Sequence, residues 1–219
     1  MKTPLGIEYY TDILCVWAWI AQRRIDELNQ ELGDRIHLQY HYMDVFGDVP
    51  TKMGVQWEGK GHYHGYARHV MDSAASFKEA PVNPKVWTEV RPASSANAHL
   101  ALKAVELAYD RKQSMASDLM LRRAFFVDAQ DIGNMAVILE LLDAQGLDSG
   151  LIRQPIQTGI AMAALMGDYQ KAKRLTIKGS PSYVIDGGRQ TLYGNVGYRV
   201  IRANIEELLK QPMEEASWC

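Results

Sequence analysis

The chain carries two thiols, Cys15 and the last residue, Cys219. Cys15 stands where a strand-like run, Leu5-Gly6-Ile7-Glu8-Tyr9-Tyr10, passes through Thr11-Asp12 into a helical pattern. The free amides and the dipole at a helix start favour negative charge. A thiol there is expected to ionise more readily than an ordinary cysteine and to act as a nucleophile near neutral pH. Arg23 and Arg24 lie about two turns further along, at ~1.5 Å of rise per residue, too far to be the main cause. Asp12, if close, opposes the shift. The plainer reading is a small apolar side chain that fills a core gap. Cys219 is in principle a resolving partner for Cys15, and otherwise an incidental tail residue.

Other residues invite chemistry less strongly. His62, His64 and His69 are two, five and seven residues apart, whereas a zinc-binding pair on a helix wants a spacing of about three or four. No metal is expected, and these side chains read as a solvated helix start or as cleft lining. Trp17 and Trp19, so near Cys15, are expected to line a substrate groove, with Trp57 and Trp87 as core or loop anchors. Met115, Met120, Met135, Met162 and Met166 read as core filler or, alternatively, as an adaptable apolar cleft. Asp186-Gly187-Gly188 is a hairpin signal. No glycine fingerprint for a dinucleotide follows the first strand.

The elements that must hold Cys15 are legible in the periodicity. Trp19, Ile20, Ile25, Leu28 and Leu32 share one face of a helix from Cys15 to Leu32, ended by Gly33-Asp34. Arg35 to Met43 alternates as a strand, with Ile36, Leu38, Tyr40 and Tyr42 on one side. Strand, helix, strand implies a parallel pair. Residues 44–61, rich in glycine and interrupted by Pro50, read as loop. Helices are expected over His62–Lys78, Ser94–Asp110, Met115–Ala129, Asn134–Gln145 and Asp148–Leu175. Strands return at Ser182–Ile185 and Arg189–Tyr193, before a last amphipathic helix over Gly197–Lys210 with Val200, Ile201, Ile205 and Leu208 inward. The order predicts an α/β fold, a thioredoxin-like core with a large all-α insertion domain. The expected division is a discontinuous core domain, 1–61 and 176–219, and a helical domain, 62–175, with the binding cleft between them.

Three segments carry a family resemblance. Asp12-Ile13-Leu14-Cys15-Val16-Trp17-Ala18-Trp19 resembles the active-site segment of the DsbA superfamily, which also includes the kappa-class glutathione transferases and the 2-hydroxychromene-2-carboxylate isomerases. Leu121-Arg122-Arg123-Ala124-Phe125-Phe126-Val127 with Asp131-Ile132 resembles a segment of the helical insertion in those enzymes. Gly179-Ser180-Pro181-Ser182-Tyr183-Val184-Ile185-Asp186-Gly187 resembles the family's strand with a cis-proline. The resemblance implies that Ser180 and Pro181 present backbone beside the Cys15 sulfur, where an extended peptide or glutathione would pair as an added strand. It places Trp17, Ala18, Trp19, Ser180, Pro181 and Asn195 at a substrate site around the catalytic Cys15. Two departures matter. Ala18 stands where the family's dithiol members have a second cysteine, so an internal disulfide is impossible there and an external thiol must resolve any mixed disulfide. In Gly194-Asn195-Val196, Val196 cannot accept from the amino group that an aspartate holds in the glutathione-using relatives.

The implied activity is a monothiol thiol-disulfide oxidoreductase or isomerase. The alternatives are a glutathione-dependent isomerase or transferase on a small aromatic or electrophilic substrate, and a redox-inactive peptide-binding module. No tightly bound cofactor is expected, only glutathione as a cosubstrate. The expected partners are protein or small-molecule thiols and disulfides; a homodimer stays open. A net charge of -2 over 219 residues, with no basic stripe, argues against nucleic acid and against an anionic membrane surface. No leader is expected before the first strand, and no apolar run reaches about 18 residues. With two cysteines only, a reducing cytosol is the expected compartment.

Overall fold

The computed structural model describes residues 3–210. Strand β1 (Leu5–Thr11) runs into α1 (Val16–Leu32) and returns as β2 (Ile36–Tyr42). These two strands are parallel, in the register Leu5 opposite Ile36 through Thr11 opposite Tyr42. After the helical insertion, β3 (Ser182–Ile185) pairs antiparallel with β1, and β4 (Gln190–Tyr193) pairs antiparallel with β3. The four-stranded sheet has the order β2-β1-β3-β4. This is the expected thioredoxin-like core, in which two sequence-distant half-sheets meet along β1.

Alternation explains which face goes where. Ile7, Tyr9, Leu38, Tyr40, Tyr183 and Ile185 point to one side and pack on Ile25, Leu28 and Leu32 of α1 and on Ile201, Ile205 and Leu208 of α9 (Tyr198–Leu209). Val200, expected inward, is about half exposed. At 100° per residue it sits beyond the apolar stripe that Ile201, Ile205 and Leu208 complete without it. The other face buries Tyr10, Met43 and Val184 against Ala172.

Two segments between β2 and β3 differ in kind from the expectation. Residues 44–48 are loop as expected, but the rest of the segment is wound: α2 (Val49–Thr51) continues as a π-helical turn over Lys52–Gln56 and a 3-10 turn over Glu58–Lys60. The Asp48 carboxylate accepts the Thr51 amide, and Pro50 sits in the first turn, where its missing N–H costs nothing. The single helix expected over Asp148–Leu175 is two, α7 (Ser149–Gln157) and α8 (Ile160–Arg174), because Gly159 takes a left-handed conformation at φ 79°. The remaining helices, α3 (His62–Ala74), α4 (Ala96–Ala108), α5 (Arg111–Phe126) and α6 (Met135–Ala144), all form, but α3 stops four residues short of the expected end and α5 begins four residues early, capped by Asp110 through the Gln113 amide; Asn134 caps α6 through the Ala136 amide. Of the five methionines read as filler, Met162 and Met166 are exposed on α8.

Candidate functional site

Cys15 caps the start of α1 with an extended backbone (φ -80°, ψ 116°), and its carbonyl accepts the amides of Ala18 and Trp19. Its sulfur lies 3.3 Å from the Ser180 carbonyl oxygen and donates to it. The Ser180-Pro181 bond is cis. The Ser180 hydroxyl oxygen accepts the Asp12 amide at 2.9 Å, so this serine braces the turn before Cys15 and touches its thiol at once. The Ser182 hydroxyl donates to the Gly179 carbonyl and the Gly194 amide to the Pro181 carbonyl, which fixes the segment from both sides. A Cβ on Gly179 would meet the Tyr193 hydroxyl at 3.0 Å, so a larger residue there would press on the Tyr193 side chain.

A buried polar frame holds the turn. The Asp12 carboxylate accepts the Leu14 and Phe46 amides (3.0 and 2.8 Å) and the Ser95 hydroxyl (2.9 Å). Arg122, 1% exposed, pairs with Asp118 at 2.6 Å and donates to the Thr11 hydroxyl and to the carbonyls of Asp12 and Ile13. The Ile13 amide donates to His99 Nε2 at 3.1 Å, which leaves the ring proton on Nδ1, facing the Tyr169 hydroxyl. Burial pushes the Asp12 carboxyl up to about 6 despite those hydrogen bonds, and burial together with the nearby Arg122 charge pushes His99 down to about 3.

The expected low-pKa thiolate is corrected by this geometry. Cys15 is 6% exposed, and burial holds its thiol above the ordinary cysteine value. The Ser180 side chain and the Ala18 and Trp17 amides pull it down, and the Asp12 charge pushes it up. The helix start is present as expected; desolvation outweighs it. Two other expectations change. Trp19 is not a groove residue: it is buried, stacks on Phe126 at 5.7 Å, and donates its indole N–H to the Pro81 carbonyl. Ala18 is fully buried and meets the sulfur through its amide alone. Trp17 is half-buried against the core cluster. Asn195 is exposed on the loop that Gly194 ties to Pro181. Cys219 lies outside the described residues.

Sequence reasoning missed Ser95 and His99. His99 had one visible signal, a lone histidine among the buried Ala98, Leu100 and Ala101 of α4. The grouped histidines do not converge: the His62 ring meets the Met53 carbonyl and His69 leans on Trp57. A recess of about 730 Å³, lined by Pro4, His37, Arg111 and Met115 among others, opens at the far end of the sheet, where Ile36 starts β2.

The sheet order, the helical insertion and the Cys15 thiol beside a cis-proline define a thioredoxin-like α/β protein. The chain belongs to the family of DSBA-like thioredoxin domains, whose model matches residues 6–206. Among solved structures it is similar to a probable DsbA oxidoreductase from Streptomyces coelicolor (17% identity, TM-score 0.75, 98% of this chain and 94% of that one). It is also similar to the cytosolic disulfide reductase DsbM from Pseudomonas aeruginosa (21% identity, TM-score 0.72, 94% and 99%), which has been solved with GSH as well. A 2-hydroxychromene-2-carboxylate isomerase matches at 14% identity and TM-score 0.61, over 97% of this chain and 100% of that one.

Proposed function

We propose that this protein is a thiol-disulfide oxidoreductase of the DsbA type that works through Cys15 alone in a reducing cytosol. The observation that carries the reading is the Cys15 sulfur at the start of α1, 3.3 Å from the carbonyl that precedes the cis-proline. Cys15, as thiolate, attacks one sulfur of a disulfide. The S–S bond breaks, the second sulfur leaves as a thiolate that takes up a proton from solvent, and a mixed disulfide with Cys15 remains. A second thiol of the glutathione class attacks that bond, is itself oxidised, and releases Cys15. Ser180, whose own amide has no hydrogen-bond partner among the described residues, offers the backbone on which an extended substrate pairs. Trp17, Pro181 and Asn195 border that place.

The test is glutathione-driven reduction of a mixed disulfide by the full chain. Cys15→Ser is expected to fall to background, and Cys219→Ser to keep the parent rate. The parent rate should go on rising with pH through the ordinary cysteine value of roughly 8.5. Activity surviving Cys15→Ser ends this reading.

The buried, protonated thiol favours a second reading, in which Cys15 holds glutathione for an isomerase or transferase reaction. Under it, glutathione at millimolar levels raises the melting temperature by mass action while no disulfide is reduced.

A further inference from the structure

On one side of Cys15 three cations stand without an ion pair among the described residues. The Lys52 ammonium sits 4.9 Å over the Phe46 ring, Lys60 lies 5.2 Å over Trp57, and the Arg91 guanidinium lies 4.7 Å over Tyr63. Among the described residues none of the three has an ion-pair partner; what sets them apart from other unpaired surface cations such as Arg68 and Arg153 is that each rests on an aromatic face. Their other polar contacts are neutral: Lys52 bonds the Gln56 side chain and Arg91 the Trp87 carbonyl.

Contacts lead from these rings to the thiol. The Phe46 amide bonds Asp12, three residues before Cys15. Phe46 lies 5.8 Å from Tyr66, and Tyr66 lies 4.9 Å from Trp57. Helix α3, which carries Tyr63 and Tyr66, packs on α1. Burial pulls the Lys52 ammonium below the ordinary lysine value, and the Asp12 carboxylate, then the Cys15 sulfur when ionised, oppose that pull. Cations resting on aromatic faces keep their charge outward while the rings supply apolar area. That pairing suits a ligand with an apolar or aromatic body and carboxylates.

We propose that Lys52, Lys60 and Arg91 form a cationic, aromatic-backed collar that selects anionic disulfides for attack by Cys15. The proposal rests on the thiol-exchange reading and names its substrate class: disulfides that carry carboxylates within a few bonds of the sulfur.

Two aryl disulfides of similar size separate charge from ring: dithiobis(nitrobenzoate), a dianion, and dithiodipyridine, which is uncharged. With each, the Cys15 thiolate displaces one aryl thiolate, so the reagent is half reduced and Cys15 is left in a mixed disulfide. Stopped-flow rates are measured in full-length Cys219→Ser protein and expressed as the ratio of dianion to neutral reagent, which cancels changes in thiol ionisation. The ratio is expected to fall by roughly five- to tenfold on Lys52→Gln/Lys60→Gln/Arg91→Gln, and by less on the exposed pair Lys60→Gln/Arg91→Gln, which guards against misfolding through Lys52. Salt should lower the parent's ratio and leave that of the triple variant nearly flat. Lys112→Gln, in the lining of the recess at the far end of the sheet, should not move it. A ratio untouched by the triple variant or by salt overturns the collar while thiol exchange stands. A Cys15 that reacts with neither reagent overturns both.

Discussion

Two polar networks are buried where the helical insertion meets the sheet, and they are built from different parts. Under the turn before Cys15, Arg122, Asp12 and His99 make five hydrogen bonds to main chain, the amides of Ile13, Leu14 and Phe46 and the carbonyls of Asp12 and Ile13, while Ser95 bonds the Asp12 carboxylate. At the end of β2, Asp168 of α8 joins side chains instead, His41 at 2.7 Å and Lys103 at 3.4 Å, with Lys103 passing on to Glu106 and only the Tyr42 amide bonded from the backbone. The first network fixes the path of the chain on which the thiol rides; the second fastens one element to another. Loosening the first should therefore cost stability and reactivity together, and loosening the second stability alone.

The largest expected effect comes from Arg122→Met. It leaves the Asp118 carboxylate buried without its partner and three acceptors without their donor, at a cost of about 3–5 kcal/mol in urea unfolding. Cys15 alkylation measured in the folded protein should change with it. Asp168→Asn keeps the size of the side chain and leaves Lys103 paired with Glu106, so about 1–3 kcal/mol is expected. Its Cys15 alkylation rate should match the parent's. Equal changes in Cys15 reactivity for both variants would remove the distinction between the two networks.

A second way to sharpen the comparison uses pH, because the thiol-bearing frame holds two groups displaced in opposite directions. Asp12, raised to about 6, keeps its proton when folded and loses it when unfolded between roughly pH 4 and 6. In that window the native state binds more protons, so stability falls as pH rises. His99, lowered to about 3, stays neutral when folded and charges when unfolded up to roughly pH 6.5. There the unfolded state binds more protons, so stability rises with pH. Each slope is about 1.4 kcal/mol per pH unit, and from about pH 4 to 6 they cancel. His99→Gln keeps an acceptor for the Ile13 amide and removes the histidine slope. Its unfolding free energy should fall across that window by about 2–3 kcal/mol relative to the parent's own profile. A difference between the two proteins that stays constant over the window would mean that one of these groups does not titrate as its burial dictates.

Much of this arrangement was legible in the sequence, for reasons that also explain what was not. The alternation from Ile36 to Tyr42 and the apolar stripe through Ile25, Leu28 and Leu32 mark burial directly, so sheet and flanking helices follow from local pattern. Cys15, Ser180 and Pro181 stood out through residue type and family resemblance. Ser95 and His99 did not, because what gives them a role is the approach of elements 83 and 86 residues from their partners. The sign of the Cys15 shift was missed for a related reason. The helix start is a local feature, visible in the string of residues, whereas the desolvation that outweighs it comes from the packing of the insertion around that start.

The smallest expected effect falls on the residue that both stories share. Ser180 gives its hydroxyl oxygen to the Asp12 amide and its carbonyl to the Cys15 thiol, so one side chain belongs to the frame and its main chain to the reactive site. Ser180→Ala deletes only the hydroxyl. The Asp12 amide is left unpaired in a buried place, at a cost of about 1 kcal/mol. The Ser180 side chain is also the largest of the contacts that pull the Cys15 thiol down. Without it, burial acts with less opposition, and the alkylation midpoint of Cys15 should move further up from its already raised position. Ser180→Thr restores a hydroxyl and should bring back both the stability and the midpoint. A midpoint that holds still in Ser180→Ala while stability drops would assign the hydroxyl to the frame alone and leave the sulfur to the amides of α1.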